Sequence, residues 1–196
     1  MRIVAGRFKG RGLAGPRSEA IRPTSDRLRE ALFNVLTHAY DDPVAGARVL
    51  DLFAGTGAMG LEAVSRGAAF ALLVDNGAEA RGVIRANVDA LGAAGLTRIF
   101  RRDATKLGPA KPLEAFSLVF CDPPYGKGLA ERALTSAREG GWLAPDALVV
   151  VEEAASAPFV PPEGFELLEE RQYGDTKALV MRLAGGVEEP GNIARA

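Results

Sequence analysis

The stretch DLFAGTGAMG at residues 51–60 decides the fold of this chain. Its glycines follow the spacing G-x-G-x-x-G, and they lie between an apolar, strand-like run at residues 48–53 and a helix-like segment at residues 58–66. Glycines in such a loop let the backbone approach a ligand and let the helix pack closely against the strand. NAD enzymes share this spacing, and some glycine turns bind nothing. The stretch alone therefore predicts a strand–loop–helix unit with a candidate ligand site.

Around this unit the chain alternates strand-like and helix-like segments from Gly46 onward. The strands are continuous apolar runs, which is typical of strands whose two faces are both covered by helices. Turn residues 173–175 separate the last two strands and predict a hairpin. We predict strands at residues 48–53, 70–75, 98–102, 117–121, 147–151, 165–170 and 178–183, and helices at 58–66, 78–91 and 129–138. The fold is thus an α/β, doubly wound sheet that ends in an antiparallel hairpin.

The segment before this alternation predicts two smaller elements. The first 15 residues alternate weakly around a glycine- and lysine-containing turn, which indicates a short hairpin that packs on the body or on a partner. An amphipathic helix follows, N-capped by Thr24 or Ser25. We therefore divide the chain into a basic N-terminal hairpin or arm at residues 1–20, one α/β domain at 21–184, and a tail at 185–196. The tail lacks a core pattern and is predicted to be disordered.

Charge is distributed unevenly along the chain. Residues 1–29 carry eight basic side chains against two acidic ones, a net charge of +6, whereas the whole chain has a net charge of −1, so its remainder carries −7. A basic segment on an acidic body indicates a local contact with a polyanion. The alternative is a solvated terminus whose charges only aid solubility. The candidates for contacts with the phosphates of a nucleic acid are Arg7, Lys9, Arg11 and Arg22.

The composition narrows the class of protein. The 47% hydrophobic and 25% charged residues are ordinary for a globular domain. One cysteine, Cys121, excludes an internal disulfide framework, and one histidine, His38, leaves no Cys/His metal site, so we expect no metal. The sequence has no signal-peptide pattern and no apolar run of membrane-spanning length. We expect a cytoplasmic monomer that does not bind membranes.

A second informative stretch is DPPY at residues 122–125, directly after the apolar run at 116–121. Each proline has a fixed φ and no N–H, so the turn presents rigid carbonyl oxygens and few donors. Asp122 adds two acceptor oxygens, and Tyr125 adds a flat face for stacking. This combination suits a planar ring with an exocyclic amine, such as adenine, guanine or cytosine. The alternative is a strand-ending turn with a solvent-facing acid.

Acidic residues at the ends of neighbouring strands indicate the second ligand. Asp75 closes the second strand, where a carboxylate can accept both hydroxyls of a ribose, and Asp103, just past the third strand, could accept an adenine amino group. Asp51 points toward the glycine loop, where a negative charge disfavours a pyrophosphate but tolerates the sulfonium and ammonium of S-adenosylmethionine. The carboxyl ends of these strands face one crevice. The two motifs together therefore predict methyl transfer from S-adenosylmethionine to an exocyclic amine.

The two motifs resemble those of the class I, S-adenosylmethionine-dependent N-methyltransferases. More narrowly, RIVAG at residues 2–6, RPTSDRLREALFN at 22–34 and YGDT at 173–176 resemble the RsmD family, and the similarity covers nearly the whole chain. The resemblance implies a Rossmann-like, seven-stranded, mostly parallel sheet with a small N-terminal hairpin. It implies methylation of N2 of one guanine, position 966, in the 16S ribosomal RNA of the assembled small subunit. The sequence departs from the family at Gly77, where an acid is expected.

The motifs and this resemblance assign candidate roles. Asp122 and the carbonyl of Pro123 hold the amine hydrogens, Tyr125 stacks on a flipped-out base, and Pro124 lies on the RNA side. The predicted catalytic residues are thus Asp122, Pro123 and Tyr125. The predicted cofactor-binding residues are Asp51, Phe53, Gly55, Gly57, Asp75, Asn76, Asp103, Ala104 and Asp122.

The residues by themselves establish only an exocyclic-amine acceptor, and other interpretations stay open. Methyltransferases that act on adenine N6 in DNA or RNA, or on a protein glutamine amide, use similar acceptor turns. The small size of the chain and the lack of an inserted target-recognition domain argue against a sequence-specific DNA enzyme. A non-catalytic ribosome-assembly factor and an NAD-dependent oxidoreductase are further alternatives. The intact Asp122 argues against the assembly factor, and Asp51 and Asp122 both argue against NAD.

Overall fold

A computed structural model describes residues 1–16 and 24–185, and within them it contains one seven-stranded sheet flanked by helices. The strand order is β3-β2-β1-β4-β5-β7-β6. The first five strands are parallel, and β7 is antiparallel to both of its neighbours. The strands are β1 (Arg48–Leu52), β2 (Phe70–Val74), β3 (Thr97–Phe100), β4 (Phe116–Cys121), β5 (Leu143–Ala154), β6 (Phe165–Tyr173) and β7 (Thr176–Leu183); the α-helices are α1 (Asp26–Ala39), α2 (Ala58–Ser65), α3 (Ala78–Leu91) and α4 (Leu129–Glu139). This confirms the predicted doubly wound sheet and its C-terminal hairpin.

The strand order reverses at β1, which pairs with β2 on one side and with β4 on the other. Chain connections leave β1 and β4 in opposite directions at this point, so a crevice opens beyond the carboxyl ends of the two strands. The glycine loop follows β1, and the DPPY turn follows β4. The topology therefore brings both sequence motifs to one edge of the sheet, as predicted.

Two apolar layers, one on each face of the sheet, build the core. Successive strand residues point to opposite faces, and in β4 Phe120 belongs to one layer while Cys121 belongs to the other. The ring of Phe120 packs on Phe33 of α1 at a centroid distance of 5.4 Å. Cys121 is a buried core residue. Its thiol has a raised pKa because it is fully buried.

Strand β5 is longer than the sequence predicted. The apolar run ends at Val151, but the strand continues to Ala154 because β7 pairs with it through Ala154 and Thr176. Glu152 and Glu153 therefore remain in the sheet despite their charge, and both are almost fully buried. Strand β3 begins one residue before the predicted start at 98 and ends at Phe100, two residues before the predicted end at 102.

The N-terminal residues form a short antiparallel pair that packs on α2 and α3. The amide of Ile3 donates to the carbonyl of Arg11, and Gly10 donates back to Ile3, each at 2.9 Å. The carboxylate of the fully buried Glu62 in α2 accepts from the amides of Val4 and Ala5 at 2.8 and 2.9 Å. Arg22, the predicted boundary at residues 20–21 and all but the first residue of the predicted tail lie outside the described residues.

A buried arginine joins this hairpin to α1. Arg29 is fully buried, and its guanidinium contacts the carboxylates of Glu62 at 3.4 Å and Asp26 at 2.8 Å. It also donates to the carbonyls of Arg2 and Thr24. One side chain thus holds the start of α1, the hairpin and α2 in a fixed arrangement beside the crevice.

Candidate active site

A crevice of about 1050 Å³ lies at the carboxyl edge of the parallel strands. Its wall is formed by the loops after β1, β2 and β4, the end of β5, the β6–β7 turn and the start of α1. A cleft of this size is sufficient for a cofactor together with one nucleobase. Of the residues predicted from the sequence, the crevice brings together Asp51, Phe53, Gly55, Asp75, Asn76, Asp122, Pro123, Pro124 and Tyr125.

The glycine loop holds its shape through left-handed backbone conformations and one close helix–strand contact. Phe53, Gly55 and Gly57 have φ angles of 58°, 57° and 77°. A Cβ at Gly60 would lie 2.3 Å from Cδ2 of Leu73, so only glycine lets α2 approach β2 this closely. The amide of Gly60 donates to Oδ2 of Asp51 at 2.9 Å. Gly57 begins α2 as its N-cap and does not itself line the crevice.

Asp51 gives the floor of the crevice its electrostatic character. Its side chain is 3% exposed, and burial raises the pKa of its carboxyl to about 7. The nearby carboxylates of Asp122 and Asp75 raise this pKa further, whereas the hydrogen bond from Gly60 lowers it. Such a site attracts a cation and repels a pyrophosphate.

Asp75 is fixed by the backbone of two loops. Its Oδ2 accepts from the amide of Gly55 at 3.0 Å, and its Oδ1 accepts from the amide of Gly77 at 2.8 Å. Each carboxylate oxygen keeps a further lone pair, so both can accept ligand hydroxyls. Gly77, where the resemblance led us to expect an acid, orients Asp75 through its amide, and Glu79 two residues later lines the crevice.

The DPPY turn is anchored at both ends. The amide of Asp122 lies 3.4 Å from the carbonyl of Leu52, and the hydroxyl of Thr24 donates to Oδ2 of Asp122 at 3.3 Å. After the turn, Gly126 donates to the buried carboxylate of Glu153 at 2.9 Å. These contacts hold the acceptor oxygens of the turn in one orientation above the crevice floor.

Several predicted residues lie away from the crevice. Asp103 caps a short 3-10 turn at Ala104–Lys106, where its carboxylate accepts from the amide and hydroxyl of Thr105 at 2.8 and 2.7 Å. These bonds lower the pKa of Asp103. Ala104 is buried in the core. Neither residue lines the crevice, so their role in cofactor binding stays a prediction.

The predicted RNA-contacting residues of the hairpin lie at the C-terminal ends of α2 and α3. Arg7 donates to the carbonyl of Val64 at 3.2 Å, and Arg11 donates to the carbonyl of Ala90 at 2.5 Å. The crevice lies at the N-terminal ends of the same helices, one helix length away. Lys9 is exposed at the hairpin turn. Any contact of these residues with RNA would therefore lie outside the crevice, and this role stays a prediction.

The crevice is also lined by residues that sequence reasoning did not assign to the site, among them Thr24, Glu152, Tyr173 and Thr176. They come from the start of α1, the end of β5 and the β6–β7 turn. Thr24 was predicted only as a helix cap, although Ser25 is the residue whose side chain caps α1. The polarity of Glu152 directly after an apolar run was the one sequence signal that could have identified it.

The described residues contain no helix with the length and hydropathy needed to cross a membrane, and no group of three or more potential metal ligands.

The chain is similar to known proteins over most of its length. A family model described as conserved hypothetical protein 95 matches residues 1–182. The chain is 39% identical over 163 residues to the ribosomal RNA small subunit methyltransferase D of Escherichia coli K12, covering 82% of this chain and 79% of that protein. It is 35% identical to the protein of the same name from Haemophilus influenzae, with 89% of each chain covered. It also resembles the solved structure of an Escherichia coli candidate methyltransferase, yhhF, with a TM-score of 0.79, 33% identity, and coverage of 94% of this chain and 98% of that one.

Proposed function

Because this chain belongs to the family described as conserved hypothetical protein 95, the RsmD family, we propose that it is a ribosomal RNA methyltransferase. The reaction we propose moves a methyl group from S-adenosylmethionine to the exocyclic N2 of the guanine at position 966 of 16S ribosomal RNA. The substrate we propose is the assembled small subunit. The relatives named ribosomal RNA small subunit methyltransferase D support the reaction class and the kind of RNA. The acidic crevice with the DPPY turn at its edge supports the donor and the amine acceptor.

The residues of the crevice fit S-adenosylmethionine. Asp75, held by two backbone amides, would accept the ribose hydroxyls. The Gly55 backbone and Asp51 would lie beside the methionine end, where the buried carboxylate favours a positively charged ligand. When bound, a sulfonium cofactor would supply an activated methyl group that a nitrogen lone pair can attack, with the neutral thioether S-adenosylhomocysteine as the leaving group. The protein's own task is then to orient the acceptor nitrogen and to accept its proton.

The DPPY turn is suited to that task. The lone pair of guanine N2 is delocalised into the ring, so the free amine is a weak nucleophile. Asp122 and the carbonyl of Pro123 would each accept one amine hydrogen, which favours a pyramidal nitrogen whose lone pair points at the methyl carbon. The same acceptors stabilise the positive charge that develops on the nitrogen during transfer. As the new carbon–nitrogen bond forms and the carbon–sulfur bond breaks, the amine proton passes to Asp122 or to water.

The aromatic and basic residues are assigned to the RNA. Tyr125, with its hydroxyl 3.5 Å from that of Thr176, would stack on a guanine flipped out of its helix. Pro124 lies beside it in the crevice wall. The hairpin residues Arg7, Lys9 and Arg11 would contact phosphates outside the crevice.

The single observation that carries this proposal is that Asp122, the first residue of the acceptor turn, lines the same crevice as the glycine loop and Asp75. Its carboxylate is close enough to Asp51 to affect that residue's pKa, and it belongs to the rigid acceptor turn. A group in this position can touch both the amine and the methyl donor.

The experiment that tests the proposal measures transfer of radiolabelled methyl from S-adenosylmethionine to unmodified small ribosomal subunits, with naked 16S RNA and duplex DNA in parallel. Nucleoside analysis then identifies the product. Label recovered as N2-methylguanosine from the subunits supports the proposal. Label recovered as N6-methyladenine would overturn the acceptor, and cofactor binding without any transfer would favour an assembly factor.

A further inference from the structure

Glu152 occupies the acceptor end of the crevice, next to Asp122. It is 3% exposed, lines the crevice, and lies on β5, the strand adjacent to β4. Cys121 and Val151 form the last register pair between these strands, so Asp122 and Glu152 each follow that pair by one residue. Adjacent strands lie about 4.8 Å apart. The two carboxylates therefore lie side by side, Asp122 directly after the end of β4 and Glu152 within β5.

The two carboxylates also share one face of the sheet. Phe120 and Val150 belong to the same core layer, whereas Cys121 and Val151 belong to the opposite layer. Side chains alternate along a strand, so Asp122 and Glu152 return to the face of Phe120 and Val150. The structure thus places the Glu152 carboxylate within the same part of the crevice as the amine-holding turn.

Tyrosines and the segment before α1 line the crevice together with Asp122. Tyr125 follows Asp122 in the acceptor turn and has its hydroxyl 3.5 Å from that of Thr176, the register partner of Tyr173, while the hydroxyl of Thr24 donates to Asp122. The glycine loop and Asp75 line the cofactor end. A ring stacked on Tyr125 with its amine at Asp122 would therefore direct the adjoining atom of its Watson–Crick edge toward Glu152.

The chemistry of that edge differs among the bases that carry an amine. Guanine places a ring N–H donor, N1–H, next to its amine. Adenine and cytosine place a ring nitrogen acceptor there instead. An ionised carboxylate accepts hydrogen bonds but donates none. It can therefore bind N1–H of guanine, but it cannot form a hydrogen bond with the ring nitrogen acceptor of adenine or cytosine.

We propose that Glu152 is the specificity-determining residue that selects guanine by accepting the N1–H hydrogen bond. The inference rests on the proposed function and deepens it, because Asp122 and Pro123 read only the amine, which three bases share. Since the carboxylate is shielded from water, a base that presents an acceptor to it is rejected more strongly than at an exposed site.

The test uses 2-aminopurine, which keeps the N2 amine but has an acceptor at N1. Small subunits are reconstituted with 16S RNA that carries guanine or 2-aminopurine at the methylated position, and single-turnover methyl transfer is measured. We expect wild-type protein to prefer guanine by at least about a hundredfold. Equal transfer to the two bases by the wild-type protein would overturn the inference without use of any variant.

Glu152→Gln provides the second arm. Its amide can donate to the N1 acceptor of 2-aminopurine, so the preference for guanine should fall by about tenfold to a hundredfold. Glu79→Gln is the matched control, because it removes a carboxylate from the cofactor end of the same crevice. That control should alter cofactor affinity but retain the base preference. An unchanged preference in Glu152→Gln, in a folded protein that binds S-adenosylmethionine, would overturn the inference.

The outcome also separates this inference from the proposed function. If wild-type protein transfers no methyl to guanine-containing subunits, the proposed function fails and the inference fails with it. If wild-type protein methylates guanine but does not discriminate against 2-aminopurine, only the inference fails.

Discussion

The hydroxyl of Thr24 donates a hydrogen bond of 3.3 Å to Oδ2 of Asp122, although 98 positions separate the two residues in the chain. The carbonyl of Thr24 in turn accepts from the fully buried guanidinium of Arg29 at 3.2 Å. Arg29 is held by Glu62, which also binds the N-terminal hairpin. The start of α1 therefore orients the carboxylate that we assign to the acceptor amine, and a network of buried charges holds that segment in place.

Thr24→Val removes this hydrogen bond while preserving the shape of the side chain. We expect the single-turnover rate of methyl transfer to fall about tenfold, because Asp122 loses a donor that fixes its orientation. Thr24→Ser keeps the hydroxyl and should retain most of the rate. S-adenosylmethionine affinity should stay within a few-fold in both variants, by calorimetry. Equal rates for the valine and serine variants would show that the hydroxyl does not orient Asp122 for transfer.

Asp122→Ala should abolish methyl transfer and leave the affinity for S-adenosylmethionine within about tenfold. The reason is that the carboxylate acts on the amine, whereas Asp75 and the glycine loop hold the cofactor. The matched control is Asp89→Ala, which removes an exposed carboxylate of α3 that does not line the crevice. Turnover by the Asp122 variant near the wild-type level would contradict the assigned mechanism.

The raised pKa of Asp51 predicts a pH dependence of cofactor binding. With a pKa of about 7, its carboxyl is mostly protonated at pH 6 and mostly ionised at pH 8. A cationic ligand prefers the ionised form, so the affinity for S-adenosylmethionine should rise by up to about tenfold across this range. The amino group of S-adenosylmethionine also titrates in this range. Because Asp51→Asn lacks the carboxyl, the pH dependence of binding to this variant measures the contribution of the ligand. The pH dependence measured in the variant should be shallower; an identical dependence would exclude Asp51 as its source.

The same pKa has a consequence for stability. The folded-state pKa of Asp51 is above its ordinary value of 3.8, so the folded protein binds a proton that the unfolded chain releases. The contribution of this group to the free energy of unfolding is therefore greatest below about pH 4 and is lost as the pH rises to about 7. Denaturant unfolding at pH 5 and pH 8 measures this contribution, as the loss of unfolding free energy between the two pH values in wild-type protein that is missing in Asp51→Asn.

Gly60→Ala should destabilise the fold by roughly 1–3 kcal/mol, because its Cβ would clash with Leu73 and force α2 away from β2. Gly82→Ala is the control within a helix, since a Cβ added at this position of α3 would have no atom within 4 Å. That substitution should stabilise by roughly 0.4–1 kcal/mol. The free energy of unfolding in urea distinguishes the two, and similar values would contradict the close contact.

The role of the hairpin is tested by Lys9→Glu. Arg7 and Arg11 donate to helix carbonyls, so their reversal would also disturb packing, whereas Lys9 lies at the exposed turn. If Lys9 contacts a phosphate, the slope of log affinity for the small subunit against log salt should decrease in magnitude by about 1. Lys111→Glu, also exposed, makes the same charge change away from the hairpin and should leave the slope unchanged. Equal slopes for the two variants would remove the hairpin turn from the RNA interface.

Most strands of the sheet could be predicted from the sequence. The apolar runs predicted the central strands, because burial on both faces leaves a continuous run that is visible locally, and the turn at residues 173–175 predicted the hairpin of β6 and β7. The predicted end of β5 at Val151 was wrong by three residues. Its extension depends on pairing with β7, and a pairing partner more than 20 residues away leaves no mark on the local pattern.

The sequence by itself determined the α/β fold, the glycine loop and the acceptor turn. Hydrophobic periodicity and the backbone limits of glycine and proline act over a few residues, so they can be recognised along the chain. Only the tertiary structure decided that Thr24 and Glu152 lie beside Asp122, and that Asp103 lies outside the crevice. Those positions depend on strand register, on the packing of α1 against the sheet, and on the buried contacts of Arg29. Such contacts join distant segments, and no local pattern of residues specifies them.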